Sequence, residues 1–206
     1  MFIIGLTGGI ASGKSTVSQL LAGQGAVIID ADKLGHQVYQ PGTEGFRAIV
    51  EGFGPEVVAA DGTIDRRKLG PIVFSDPQKM DLLNAITRPK MRALAQERFA
   101  EERARGTGVA VLEAAILLEA GWDDLCDEVW TVEVEPEGAI ARLVSRNGLT
   151  REAALARINS QLSNDERRQR ADLAIENDGD LQVLRAQVQR AWGTLRTRIA
   201  AAAASG

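Results

Sequence analysis

"GLTGGIASGKST" (Gly5–Thr16) is a glycine-rich run that ends in a lysine and two hydroxyls, directly after the apolar residues Phe2, Ile3 and Ile4. Gly8, Gly13, Lys14 and Ser15 satisfy G-x-x-x-x-G-K-[ST], with an apolar strand before the pattern and an amphipathic helix after it. Glycines let a backbone wrap closely around a phosphate, so that successive N–H groups point inward at the anion. The helix that follows adds its N-terminal partial positive charge. Lys14 then reaches the β- and γ-phosphates as a point charge, Ser15 offers a hydroxyl to Mg²⁺, and Thr16 contacts the α-phosphate. The stretch predicts a cradle for the phosphates of a nucleoside triphosphate.

Outward from it, five short apolar runs stand out: "FIIGLT" at Phe2, "AVIID" at Ala26, "VAVLE" at Val109, "VWTVEV" at Val129 and "LAIE" at Leu173. Near-continuous hydrophobicity predicts strands buried on both faces, hence an α/β fold with a parallel sheet covered by helices. "KSTVSQLLAGQG" supplies the first crossover helix, with Val17, Leu20 and Leu21 on one face and Gly23 and Gly25 ending it. The gap between the second and third strands is far longer than a crossover needs and carries its own helical patterns, which predicts an inserted lobe. Pro89 inside that gap predicts a kinked helix or two helices, because proline removes a backbone donor. Arg142 to Asp172 is dense in arginine and reads as a mobile helical pair, with Thr150 as an N-cap. Leu181, Leu184, Val188, Trp192, Leu195 and Ile199 recur at helical spacing as core positions of a last helix, and "AAAAASG" after it is expected to fray.

Composition narrows the classes. A net charge of −4 over 206 residues argues against nucleic acid or an anionic membrane as a partner, so any anion site is local. Cys126 stands alone, which excludes an internal disulfide and a zinc cluster and fits a small buried hydrophobe in a reducing compartment. No apolar run approaches the ~20 residues that span a bilayer. The expectation is a soluble cytoplasmic protein with no obligate protein partner.

"VIIDAD" ends the second strand in two carboxylates, Asp30 and Asp32, at the sheet edge where ligands of open α/β folds bind. Alternation along an extended strand would put both on one side, and Asp32, lying further out, is the better general base for an attacking hydroxyl. Its alternative role is the cap of the helix that begins "KLGHQV". Glu113 ends "VAVLE", where an acid helps hold Mg²⁺ through water, or is simply solvated. Arg142, Arg146, Arg157, Arg167, Arg168 and Arg170 make the late segment a candidate cover for the nucleotide, with one or two of them expected to touch it. His36 has no metal-ligand partners in sequence and reads as structural or exposed.

Together, "LTGGIASGKSTV", "VIIDAD", "DGTIDRRKLGPIVFSDP", "LLEAGW" and "IEND" resemble the dephospho-coenzyme A kinase family, in order and from Met1 to about Ile199. "LEAAILLEAGW" with "DEVWTVEV" is especially similar to the kinase domain of the bifunctional coenzyme A synthase of animals. The resemblance implies a P-loop NTPase three-layer sandwich with a five-stranded parallel sheet. It also implies one kinase domain over 1–206: a core from 1–32, 106–141 and 172–200, a helical acceptor lobe at 33–105 and a lid at 142–171. It implies ATP and Mg²⁺ as cofactors, dephospho-coenzyme A as the small-molecule substrate, and transfer of the γ-phosphate to a ribose 3′-hydroxyl. Asp32 matches the family's base, Ala11, Ser12, Gly13, Lys14, Ser15 and Thr16 its ATP-binding stretch, Arg146 its lid arginine, and Asn177 the end of the last strand near the adenine. Two departures, Ala115 where relatives carry proline and Arg88-Pro89 where they carry histidine-proline, bear on acceptor binding rather than phosphate chemistry. The competing readings are a P-loop kinase of another nucleoside or nucleotide and a nucleotide-dependent switch; the switch is weakened by the lack of an N-K-x-D motif.

Overall fold

The computed structural model describes residues 1–205. It forms two compact units: Met1–Ile29 with the chain from Glu101 onward, and Asp30–Ala100.

Among the described residues five strands form one sheet: β1 (Phe2–Gly8), β2 (Val27–Asp30), β3 (Val109–Glu113), β4 (Glu128–Glu133) and β5 (Leu173–Glu176), in the order β2-β3-β1-β4-β5. β1 pairs in parallel with both β3 and β4, placing Ile4 beside Val111 and Glu128, and β4 pairs in parallel with β5. All five apolar runs are therefore strands. A central strand is covered on both faces, which is why every residue of β1 from Ile3 onward is buried. Aspartates seal the strand starts: Asp127 accepts the N–H of Ile3 and Asp172 that of Val129. Without them those amides would lack partners where the ladder begins.

One core joins Ile4, Leu6, Trp130 and Val132 of the sheet to Val17 and Leu21 of α1 (Lys14–Gly23). The same core takes in Leu184, Val188, Trp192 and Leu195 of the last helix, Leu181–Ser205. Leu181, expected in the core, is 48% exposed, since it opens the first turn before the helix reaches the sheet. The alanine-rich end continues that helix through Ser205 instead of fraying, consistent with alanine's helix propensity; Gly206 lies outside the described residues.

The second unit is helical: α2 (Ala31–Val38), α3 (Glu44–Phe53), α4 (Arg66–Ser75) and most of α5 (Pro77–Ala104). Thr43 caps α3 by accepting the Phe46 N–H, and Asp65 caps α4. Its core is Ile49, Phe53, Val57, Ile64, Leu69 and Val73. Pro89 does not divide α5, which runs through it as one element. The burial of Ala95 and Phe99 in the following turns shows that packing continues along the helix past the proline.

The arginine-rich segment from Arg142 does not open a helix of its own but starts inside one, and two more helices follow. Arg142 to Asn147 complete α6 (Pro136–Asn147), which Gly148 ends at φ 63°. Then come α7 (Arg151–Asn159), capped by Thr150 as predicted, and α8 (Asn164–Arg170), opened by a Ser163–Glu166 capping box that the sequence reading missed. The last helix, Leu181–Ser205, is α9. No helix among the described residues is long and apolar enough to cross a membrane.

Candidate active site

Between β1 and α1 the glycine-rich loop closes on itself. Gly8 has φ 150°, and a Cβ there would lie 2.3 Å from the Val132 carbonyl oxygen. Gly13, the N-cap of α1 at φ 95°, would meet the Asn177 side-chain nitrogen at 2.2 Å. Both positions therefore demand glycine for space as well as conformation. Ala11 adopts φ 60°, a left-handed residue in the same turn. The Lys14 ammonium donates to the carbonyls of Gly8 at 2.8 Å and Gly9 at 3.4 Å, so it lies across the concavity. Ser12 Oγ is buried and finds no partner among the described residues, as expected of a hydroxyl awaiting a ligand. Ser15 is exposed in the first turn of α1, with Thr16 beside it.

Neighbouring elements brace this loop. Asn177 donates to the Ser12 carbonyl at 2.7 Å, and Arg142 donates to the carbonyls of Ala11 at 3.0 Å and Asn177 at 2.6 Å. The Ile10 N–H donates to Gln161 Oε1 at 2.8 Å, across 151 residues of sequence. Gln161, absent from the sequence reading, lies in the link from α7 to α8 and ties that link to the phosphate loop. A cleft of about 740 Å³ lies here, bounded by Gly9, Ile10 and Ser12 on one side and by Leu155, Ile158 and Asn164 on the other.

The late arginines separate into two groups. On α8, Arg167 is fully buried, donating to Thr7 Oγ1 at 3.2 Å, to the Ala115 carbonyl at 3.4 Å and to Glu119 Oε1 at 2.8 Å. Arg168 pairs with buried Glu133, and Arg170 with Asp123 and the Leu118 carbonyl. These three fasten α8 to strands β1 and β4 and to the segment between β3 and β4, so they are structural contacts here. Arg146 and Arg157 are exposed and carry no partner among the described residues, leaving their guanidinium groups available to a ligand.

Removing a buried charge partner normally costs about 3–5 kcal/mol, and Glu119 keeps some solvent contact, which places Arg167→Ala near the lower end. Arg167→Ala should therefore lose about 3 kcal/mol, a fall in Tm of about 6–12 °C for a chain of this size. A melting curve within about 2 °C of the wild type would contradict that role.

Asp30 ends β2 and caps α2, accepting the N–H groups of Asp32 at 3.0 Å and Lys33 at 3.2 Å. The expectation that both aspartates alternate along one strand is thus corrected: the strand stops at Asp30, and Asp32 lies in the first helical turn. The cap role considered for Asp32 belongs to Asp30, and the Asp32 carboxylate is left exposed. Within the second unit Asp32 borders a cavity of about 550 Å³ whose walls include Ile64, Leu69 and Val73 and whose rim includes His36, Arg66 and Asn84.

Glu113, at the end of β3, accepts the Ser18 hydroxyl at 2.6 Å, one helical turn beyond Ser15. A hydroxyl and an oriented carboxylate are hard oxygen donors suited to Mg²⁺, which keeps several waters and phosphate oxygens of its own. The Ser15 hydroxyl, exposed in the first turn of α1, and the Glu113 carboxylate are donors of the kind that suits the ion a phosphate loop implies. Cys126, by contrast, is no nucleophile: burial, with Asp127, Asp123 and Asp124 nearby, pushes its thiol up to about 12.

Known proteins match the chain over most of its length. The Dephospho-CoA kinase family matches residues 2–182. Dephospho-CoA kinase of Symbiobacterium thermophilum is 50% identical over 93% of this chain and 80% of its own length. The crystal structure of TT1252 from Thermus thermophilus superposes with a TM-score of 0.80 at 34% identity, covering 94% of this chain and 97% of that one. Dephospho-CoA kinase from Campylobacter jejuni gives 0.71 at 27% identity, covering 94% and 96%. A phosphate loop on a β2-β3-β1-β4-β5 sheet, matched along nearly its whole length by such relatives, leaves one conclusion: the chain belongs to the dephospho-CoA kinase family.

Proposed function

We propose that the protein transfers the γ-phosphoryl group of ATP to the ribose 3′-hydroxyl of dephospho-coenzyme A, with the glycine loop as donor site and the helical unit as acceptor site. The observation that carries this reading is the exposed Asp32 carboxylate on the rim of a large, mainly apolar cavity, freed from capping by Asp30. A bare nucleoside has no use for such a wall, whereas a pantetheine arm does, which favours this acceptor over another nucleoside or nucleotide.

In the reaction, N–H groups of the Gly8–Ser15 loop and the Lys14 ammonium hold the triphosphate and meet the charge that develops on it. Ser15 and Glu113 would hold Mg²⁺, which when bound neutralises charge on the β- and γ-phosphates. Asp32 accepts the proton of the attacking 3′-hydroxyl. Arg146, unpaired and exposed, is the lid residue offered to the nucleotide, and Arg142 and Asn177 shape the loop near its base end.

Coupled ADP release measured with dephospho-coenzyme A, with nucleoside monophosphates and without acceptor tests this directly. Turnover is expected to depend on dephospho-coenzyme A. ADP release that dephospho-coenzyme A does not raise above the acceptor-free rate would reject the assignment.

A further inference from the structure

The cavity in the second unit is lined by a cationic side chain, Arg66, to which the proposed reaction gives no role. Arg66 opens α4, and its guanidinium donates to His36 Nε2 at 3.0 Å. A guanidinium has donors only, so in this contact Nε2 is the acceptor. His36 is in turn steadied by Tyr39, whose ring centroid lies 6.0 Å away. The guanidinium is therefore oriented without its charge being cancelled.

The adjacent carboxylate caps the helix and, among the described residues, makes no ion pair with the Arg66 guanidinium. Asp65 Oδ1 is engaged by the N–H groups of Arg67 and Lys68 as the cap of α4. Among the described residues Arg66 has no carboxylate partner, in contrast to Arg105, Arg151 and Arg168, each of which is paired. Asp32 borders the same cavity, and its negative charge would repel an anionic acceptor unless a cation offset it. Much of the rest of the lining is apolar, including Phe74, which is 81% exposed, and Met80 and Met91.

We propose that Arg66, oriented by His36, is the residue that selects the acceptor, by gripping its diphosphate while the apolar wall takes the uncharged arm beyond it. This rests on the acceptor assignment made above and adds to it the group that is recognised. The same cavity is lined by the proposed base, Asp32, by the fork-shaped cation of Arg66 and by methionine and phenylalanine side chains. Those are the groups called for by a molecule that joins a ribose to a diphosphate and a long neutral thiol-bearing arm. Arginine suits the diphosphate because its planar fork pairs two oxygens at once, which lysine cannot do.

The test is the KM for dephospho-coenzyme A, at saturating ATP, of the wild type and of Arg66→Gln, Arg66→Lys and Arg66→Ala, with the KM for ATP and the melting temperature measured in parallel. A charge-assisted contact to phosphate corresponds to about a 10- to 100-fold change. Arg66→Gln and Arg66→Ala should raise the acceptor KM by about that factor, while Arg66→Lys recovers part of it and the KM for ATP stays within about twofold. Adenosine, which offers the ribose without phosphate, should compete with dephospho-coenzyme A equally well in wild type and Arg66→Gln. An acceptor KM unchanged in Arg66→Gln, or raised equally in Arg66→Lys and Arg66→Gln, overturns the proposal. Absence of wild-type turnover would instead overturn the acceptor assignment, so the two failures are distinct.

Discussion

Asp32→Asn is expected to lower kcat by about 10²- to 10⁴-fold, the range that a positioned general base supplies, while the KM for ATP stays within about threefold. Asparagine keeps the shape of the side chain and loses only the ability to take a proton. The fold gives this substitution unusual clarity, because Asp30 carries the cap of α2 and Asp32 donates only its backbone N–H to it. Loss of one acidic group in the first helical turn costs at most about 0.3–1 kcal/mol, so the melting temperature should hardly move. Stopped or steady-state assays of ADP release, alongside a melting curve, check both halves. A near wild-type kcat would mean that the proton leaves by another route, and a large drop in Tm would make Asp32 a structural residue.

Lys14→Ala should reduce kcat/KM for ATP by about 10³-fold, about 4 kcal/mol, through both weaker nucleotide binding and a slower chemical step. The ammonium spans the loop, held by the Gly8 and Gly9 carbonyls. Its removal leaves those oxygens facing the place where phosphate charge must sit. Lys14→Arg is not a remedy, since a bulky planar fork does not replace a compact point charge inside a glycine-tight turn. The double variant with Asp32→Asn is expected to fall short of the product of the two losses, because both groups act on one transition state. Isothermal titration with a non-hydrolysable ATP analogue separates the binding part from the rest. Unaltered affinity and rate in Lys14→Ala would remove the phosphate loop from the account.

What the sequence made legible was local. Strands buried on both faces announce themselves as continuous apolar runs, and the glycine pattern carries its own mechanism, so the existence and place of β1 to β5 and the loop were readable, while strand ends, above all that of β2 at Asp30, were not. The order β2-β3-β1-β4-β5 was not spelled out by any run, since it depends on which crossovers pack against which face. Asp30 and Asp32 show how one residue decides an outcome. "VIIDAD" reads equally well as a strand with two outward acids or as a strand followed by a capped helix, and only the two N–H groups satisfied by Asp30 select the second. The partners of the arginines were out of reach for another reason. Arg167 meets Thr7 across 160 residues, and a lone arginine carries no local mark that separates a buried brace from a solvated lid. Gln161 is similar: its amide matters only because the chain returns to Ile10. Arg66 stood in plain sight in "DGTIDRRKLG", but its interest arises from a histidine thirty residues earlier and from the carboxylate it lacks.

The most direct test of the central claim is a crystal structure with a non-hydrolysable ATP analogue, Mg²⁺ and dephospho-coenzyme A bound together. The account predicts the polyphosphate within the Gly8–Ser15 loop and the Asp32 carboxylate at hydrogen-bond distance, about 2.6–3.2 Å, from the ribose 3′-hydroxyl. Polyphosphate bound elsewhere, or an Asp32 carboxylate turned to solvent with the 3′-hydroxyl against another group, would contradict it.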